Sequence, residues 1–154
     1  VTKKYAYIIL FLFSLFGCKP SDNRIDISHE VGCIYGQSSC QLSTQFGELS
    51  LGFNTKFLVA ETPFEMHLLA LPSELTVTSA HMAGEDMYMG KIPLFFKQVS
   101  DGGWAAKTMF GSCAQAHMTW RVWLTLESAT GETQTVSFTV QSFQSFKAIP
   151  EDLL

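Results

Sequence analysis

Two short segments gather most of the soft donor atoms of this chain. The first runs His81-Met82-Ala-Gly-Glu-Asp-Met87-Tyr-Met89-Gly90, and the second Cys113-Ala-Gln-Ala-His117-Met118. In an extended chain Met87 and Met89, two residues apart, project to the same face, so their sulfurs converge; in a helix they would diverge by about 200°. The second segment offers a thiol, an imidazole and a thioether. Thioether, thiolate and imidazole together form the ligand set that selects copper(I). The soft donors of the two segments are His81, Met82, Met87, Met89, Cys113, His117 and Met118.

Other ions fit less well. Glu85 and Asp86 are the nearby carboxylates, too few for the six to eight oxygens that calcium takes. Zinc would call for more Cys or His at tighter spacing. The competing reading is packing, because methionine fills irregular gaps in cores and lies well against aromatics such as Tyr88, Trp104 and Trp120. A lone His81 or His117 is more often a surface or hydrogen-bonded residue than a ligand.

Catalysis leaves no comparable trace. There is no Gly-x-Ser-x-Gly elbow, no His-Glu-x-x-His and no phosphate-binding glycine loop. Cys113 and His117 lie four residues apart, and in a strand or loop that spacing does not by itself bring a nucleophile to a base. The chain is expected not to be an enzyme, and to have no catalytic residues.

The N-terminus reads as an export signal. Lys3 and Lys4 precede an apolar run from Tyr5 to Phe16, interrupted by Ser14 and followed by Gly17. That run is well short of the roughly 20 apolar residues needed to cross a bilayer. It ends at Leu15-Phe16-Gly17-Cys18, which resembles the bacterial lipobox. The resemblance implies lipidation of Cys18 and cleavage before it, giving an anchored lipoprotein on the periplasmic side of the envelope. Lys19 after the cysteine favours the outer membrane. Removing residues 1–17 takes the basic count from 10 to 8 against 14 acidic residues, a net charge of −6, and nucleic acid is not an expected partner. The expected partners are the membrane, through the lipid, and a periplasmic protein.

Outside Cys18 the cysteines are Cys33, Cys40 and Cys113, in a compartment that favours disulfides. Gly36, Ser38 and Ser39 let the chain turn between Cys33 and Cys40, the natural pair; Cys33–Cys113 and Cys40–Cys113 are the alternatives. Residues 18–32 read as a polar tether, 33–145 as one domain and 146–154 as a C-terminal tail.

Within the domain, eight short β-favouring runs alternate with turn residues: Cys40–Thr44, Leu49–Phe53, Phe64–Leu69, Leu75–Met82, Ile92–Phe96, Trp104–Phe110, Met118–Leu126 and Thr135–Val140. In the seventh, Met118, Trp120, Val122, Leu124 and Leu126 face one way, and Thr119, Arg121, Trp123 and Thr125 the other. No convincing 3.6-residue period appears, and Pro63, Pro72 and Pro93 would break most helices. The fold class is all-β, an immunoglobulin-like antiparallel β-sandwich of about seven or eight strands, without the Cys…Trp…Cys signature of antibody domains.

The order Cys33-x6-Cys40, then Gly84-Glu-Asp-Met87-Tyr-Met89-Gly90, then Trp104, then Cys113-Ala-Gln-Ala-His117-Met118-Thr-Trp120 resembles a group of small uncharacterised proteobacterial periplasmic proteins. More distantly it is similar to YtkA-like and FixH-like domains. That resemblance covers about residues 33–127. It implies an immunoglobulin-like sandwich with Met87, Met89, Cys113 and Met118 at one end as the candidate copper(I) ligands, His81, Met82 and His117 matching no motif position, and a role in copper handling or cytochrome oxidase assembly. The alternative is a non-catalytic structural or protein-interaction lipoprotein whose aromatic and methionine surface docks an envelope partner.

Overall fold

A computed structural model of the chain describes residues 31–33, 40–71, 74–100 and 102–154. The expected export signal, Cys18 and all but the last two residues of the expected tether lie outside the described residues. The described residues form two β-sheets packed face to face. In chain order the strands are β1 (Val31–Gly32), β2 (Cys40–Thr44), β3 (Gly47–Phe53), β4 (Leu58–Val59), β5 (Phe64–Ala70) and β6 (Leu75–Gly84). They continue with β7 (Lys91–Pro93), β8 (Lys97–Gln98), β9 (Trp104–Thr108), β10 (His117–Ser128) and β11 (Thr133–Phe143). One sheet has the order β1-β11-β10-β6-β7, with β4 also on β11; the other has the order β2-β3-β5-β9-β8.

The alternation read in the sequence places the core. Met118, Trp120, Val122, Leu124 and Leu126 are all buried, while the residues between them are only partly so. Leu49, Leu51 and Phe53 of β3 and Phe64, Met66 and Leu68 of β5 meet them from the other sheet. Each such aliphatic side chain contributes roughly 1.5–3 kcal/mol through removal from water. In β6 the buried set changes parity, from Leu75 to Ala80 and Met82. A register shift against β10, between Thr125 and Leu126, accounts for it: one extra residue reverses which face each later side chain takes.

The fold is more finely divided than the sequence suggests. Strands β1, β4 and β8 have two residues each, too short to show a period. β1 and β4 pair with β11 in parallel, so the sandwich is not wholly antiparallel, and Val31 and Gly32 of the expected tether belong to a sheet. The run expected as one strand from Ile92 to Phe96 instead stops at Pro93. Leu94 turns into the core, Phe95 is exposed, and Lys97 and Gln98 join the opposite sheet. The C-terminal residues fold as two 3-10 turns, Phe146–Ala148 and Glu151–Leu153, with Ile149 buried. The Lys56 ammonium donates to the Leu153 carbonyl.

Cys33 and Cys40 form a disulfide, and Cys113 is free. The bond fits an oxidising, extracytoplasmic compartment.

Candidate functional site

Antiparallel pairing of β10 with β6 and β11 brings the start of β10, the end of β6 and the end of β11 to one rim of the sandwich. The 109–116 loop, from β9 to β10, and the 85–90 loop, from β6 to β7, both emerge there. Three of the four candidate ligands are therefore carried on two loops, and the fourth, Met118, on the first inward position of β10.

The 109–116 loop is pinned from within. Phe110 is fully buried and stacks on Phe64 at 4.8 Å between ring centroids, with Trp120 at 4.9 Å on its other side. The sequence reading took Phe110 as the end of a strand; the strand stops at Thr108, and Phe110 is instead an anchor inserted between the sheets. From outside, the Glu61 amide donates to the Phe110 carbonyl (2.9 Å). Gln144 donates from its side chain to the Cys113 carbonyl (3.2 Å) and from its backbone to the Ala116 carbonyl (2.9 Å).

The 85–90 loop is held by its acidic residues. The Asp86 carboxylate accepts the Thr119 amide at 2.8 Å, and the Glu85 amide donates to the Thr119 carbonyl at 2.9 Å. The Glu85 carboxylate pairs with the Arg121 guanidinium at 2.5–2.7 Å. These carboxylates, weighed in the sequence only as weak metal donors, are the clamp that holds the methionine loop on β10. Gly90, at φ +77°, closes the loop in a left-handed conformation natural to glycine.

The sulfurs differ in placement. The Cys113 thiol points at the Met118 thioether, Sγ to Sδ 3.7 Å, and both residues line a narrow cleft with Ala60, Gly111, Ser142 and Gln144. Met118 is 2% exposed, and its methyl lies directly over Gly84, which also abuts the Met87 carbonyl. The Met89 methyl lies 3.7 Å from where a Gly111 Cβ would stand, so Met89 reaches across to the cysteine loop and packs on the core edge. Met87 is 42% exposed. Residues 85–90 are not a strand, so the two-residue alternation expected for Met87 and Met89 does not operate there: one turns inward and the other outward.

The remaining candidates separate. Met82, fully buried two residues deeper on β6, is core. His81 is on the outer face of its sheet, stacked on Trp123 with ring centroids 4.8 Å apart and 13° between planes. Its pKa is lowered, first by burial and then by the positive charge of Lys91. His117, the imidazole of the second donor segment, lines the same cleft as Cys113 and Met118. Among the described residues no group of three or more His, Cys, Asp and Glu side chains is placed to hold an ion; any metal here would rest mainly on methionine.

No protein-family model and no curated protein matches the chain. In three dimensions it is similar to a DUF4426 family protein from Pseudomonas aeruginosa PAO1, with a TM-score of 0.51 and 16% identity over 72% of this chain and 99% of that one. The likeness is one of fold. A second similar structure is a copper-bound variant of FetP from uropathogenic Escherichia coli strain F11, with a TM-score of 0.42 and 11% identity over 74% of this chain and 97% of that chain. At that score the likeness carries no weight for the site.

Proposed function

We propose that this chain is an extracytoplasmic copper(I)-binding module, anchored to the envelope by lipid at Cys18, which holds one ion at the rim between the 85–90 and 109–116 loops. Cys113 supplies a thiolate, and Met118 and Met89 supply thioethers; Met87, exposed on the 85–90 loop, lies outside this resting set. The observation that carries the reading is the 3.7 Å between the Cys113 and Met118 sulfurs. With metal–sulfur bonds of about 2.3 Å, two corners of a tetrahedral site lie about 3.8 Å apart. One ion can therefore bridge the pair with little movement of either side chain. A set of one thiolate and several thioethers favours a soft monovalent ion, and the nearest carboxylates are engaged in the backbone clamp and the Arg121 ion pair. The module works by ligand exchange rather than catalysis. Its resemblance to YtkA-like and FixH-like domains, and the immunoglobulin-like arrangement that goes with it, suggests copper handling or cytochrome oxidase assembly at the outer membrane.

The test is competition between the purified protein and a chromogenic copper(I) chelator under ascorbate. One copper(I) per chain is expected. Cys113→Ser should weaken binding by more than the roughly 10–100-fold that loss of an outer-shell partner costs, with an unchanged circular dichroism spectrum. Wild type and variant both leaving all the copper with the chelator would refute the proposal. A second reading, an interaction module, is favoured by Tyr88 and Met109, exposed to 85% and 53%. A partner that co-purifies equally with and without copper would support it.

A further inference from the structure

We propose that Met87 and Met109 form an outer capture station, which takes copper(I) from a donor and passes it inward to the Cys113–Met118 pair without being part of the resting site. The inference rests on the copper(I) reading above and adds to it how the ion arrives.

It follows from the gradation of exposure around one rim. Met118 is buried, Met89 and Cys113 are half-buried against the core edge, and Met87 and Met109 are exposed. The two exposed thioethers stand on the same two loops that carry the inner donors: Met87 two residues before Met89, Met109 four before Cys113. Met109 borders an open groove of about 620 Å³ that runs past Ile92, Phe110 and Gly111, and the Met89 methyl faces Gly111. Gly111 lines both this groove and the Cys113–Met118 cleft, so the groove ends beside the inner pair.

The steps balance without any change of oxidation state. A donor that holds copper(I) on nitrogen or thioether groups loses one copper–ligand bond as the sulfur of Met87 or Met109 forms one. The donor's remaining bonds break one at a time and the donor leaves as the ion gains bonds to Met89 and Met118, and last to Cys113, whose thiol proton leaves to water because the thiolate is the ligand. The outer bond breaks as the inner set closes. Because the outer thioethers are absent from both end states, they alter the rates of uptake and release by the same factor and leave the affinity, which is the ratio of those rates, unchanged.

The experiment uses the purified protein and the copper(I)–bicinchoninate complex as donor, with uptake followed by loss of the chelate colour in a stopped flow and affinity taken from the end point. Met87→Leu/Met109→Leu keeps side-chain volume at two exposed positions and should leave the fold intact. The double variant is expected to take up copper(I) about tenfold more slowly, equivalent to about 1.4 kcal/mol on the barrier, at unchanged affinity and stoichiometry. If affinity falls with rate, Met87 or Met109 is a resident ligand, and the capture station is overturned while copper(I) binding stands. Unchanged rate and affinity overturn it equally. Wild-type protein that takes no copper(I) from the chelate removes the binding reading itself, and the capture station with it.

Discussion

Gly84→Ala tests whether the two loops and the buried methionine are one mechanical unit. A Cβ at position 84 would be placed against both the Met118 methyl and the Met87 carbonyl oxygen. The methyl is the far end of a flexible side chain and can give way. The carbonyl belongs to a loop fixed by the Asp86–Thr119 and Glu85–Thr119 hydrogen bonds and the Glu85–Arg121 ion pair, so it moves only if that clamp loosens. In an ordinary strand, alanine in place of glycine would stabilise by roughly 0.5–1 kcal/mol. Here overpacking of about 1–3 kcal/mol opposes it, and the net is a loss of about 0.5–2 kcal/mol. At roughly 4 °C per kcal/mol for a domain of this size, Tm falls by about 2–8 °C, measured by circular dichroism with the disulfide intact. A displaced Met118 methyl also carries its sulfur away from Cys113, so under the proposed function copper(I) affinity is expected to fall together with Tm. A variant with wild-type or higher Tm and unchanged copper competition would refute the coupling.

Ser142→Ala removes the acceptor of the buried Trp120 indole N–H (2.9 Å); the orphaned donor costs about 1–3 kcal/mol, read as a lower denaturant midpoint with a changed near-ultraviolet signal. Replacing Cys33 and Cys40 together by Ala opens a small loop and is expected to cost about 2.5 kcal/mol in the chain-entropy treatment, whereas Cys113→Ser leaves that term untouched; equal Tm losses in the two variants would contradict the pairing. His81 binds its proton less readily in the folded chain than at its ordinary pKa of 6.5, so its contribution to stability is complete above pH 6.5 and is lost as pH falls through the lower folded value. His81→Phe, which keeps an aromatic ring against Trp123, should flatten that part of the stability profile, and an unaltered slope in urea titrations would refute it. Zinc(II) in large excess is expected not to displace copper(I) from the protein, and displacement in a chelator competition would overturn the assignment of a soft monovalent site.

The long strands were legible because one of their faces is dry and the other wet. Met118 to Leu126 could be assigned to the core from alternation alone, and the disulfide from a short turn-rich spacing. What escaped the sequence has no period to read. β1, β4 and β8 exist because neighbouring edges offer them hydrogen bonds, and the crossing from Pro93 to Lys97 is decided by Leu94 finding the core. At the rim, strand geometry was assumed for a segment held as a loop, and with it a common face for Met87 and Met89 that the loop does not give them. The clamp could not be foreseen, because Glu85 and Asp86 find their partners, Arg121 and Thr119, more than thirty residues away.

That clamp bears on which ion the rim can hold. A metal seated beside Phe110, Trp120 and Met118 gives up most of its hydration, and the cost of transferring an ion to such surroundings rises with the square of its charge in the Born picture. Copper(I) with the Cys113 thiolate makes a neutral assembly. A divalent ion in the same place keeps one uncompensated positive charge, and the carboxylates that might have balanced it are already engaged: Asp86 with the Thr119 amide, Glu85 with Arg121. In the proposed copper(I) site the acids would therefore serve selectivity by being occupied. They hold the loop that carries Met87 and Met89, and on that reading would withhold the hard, charged ligands that let zinc or calcium compete.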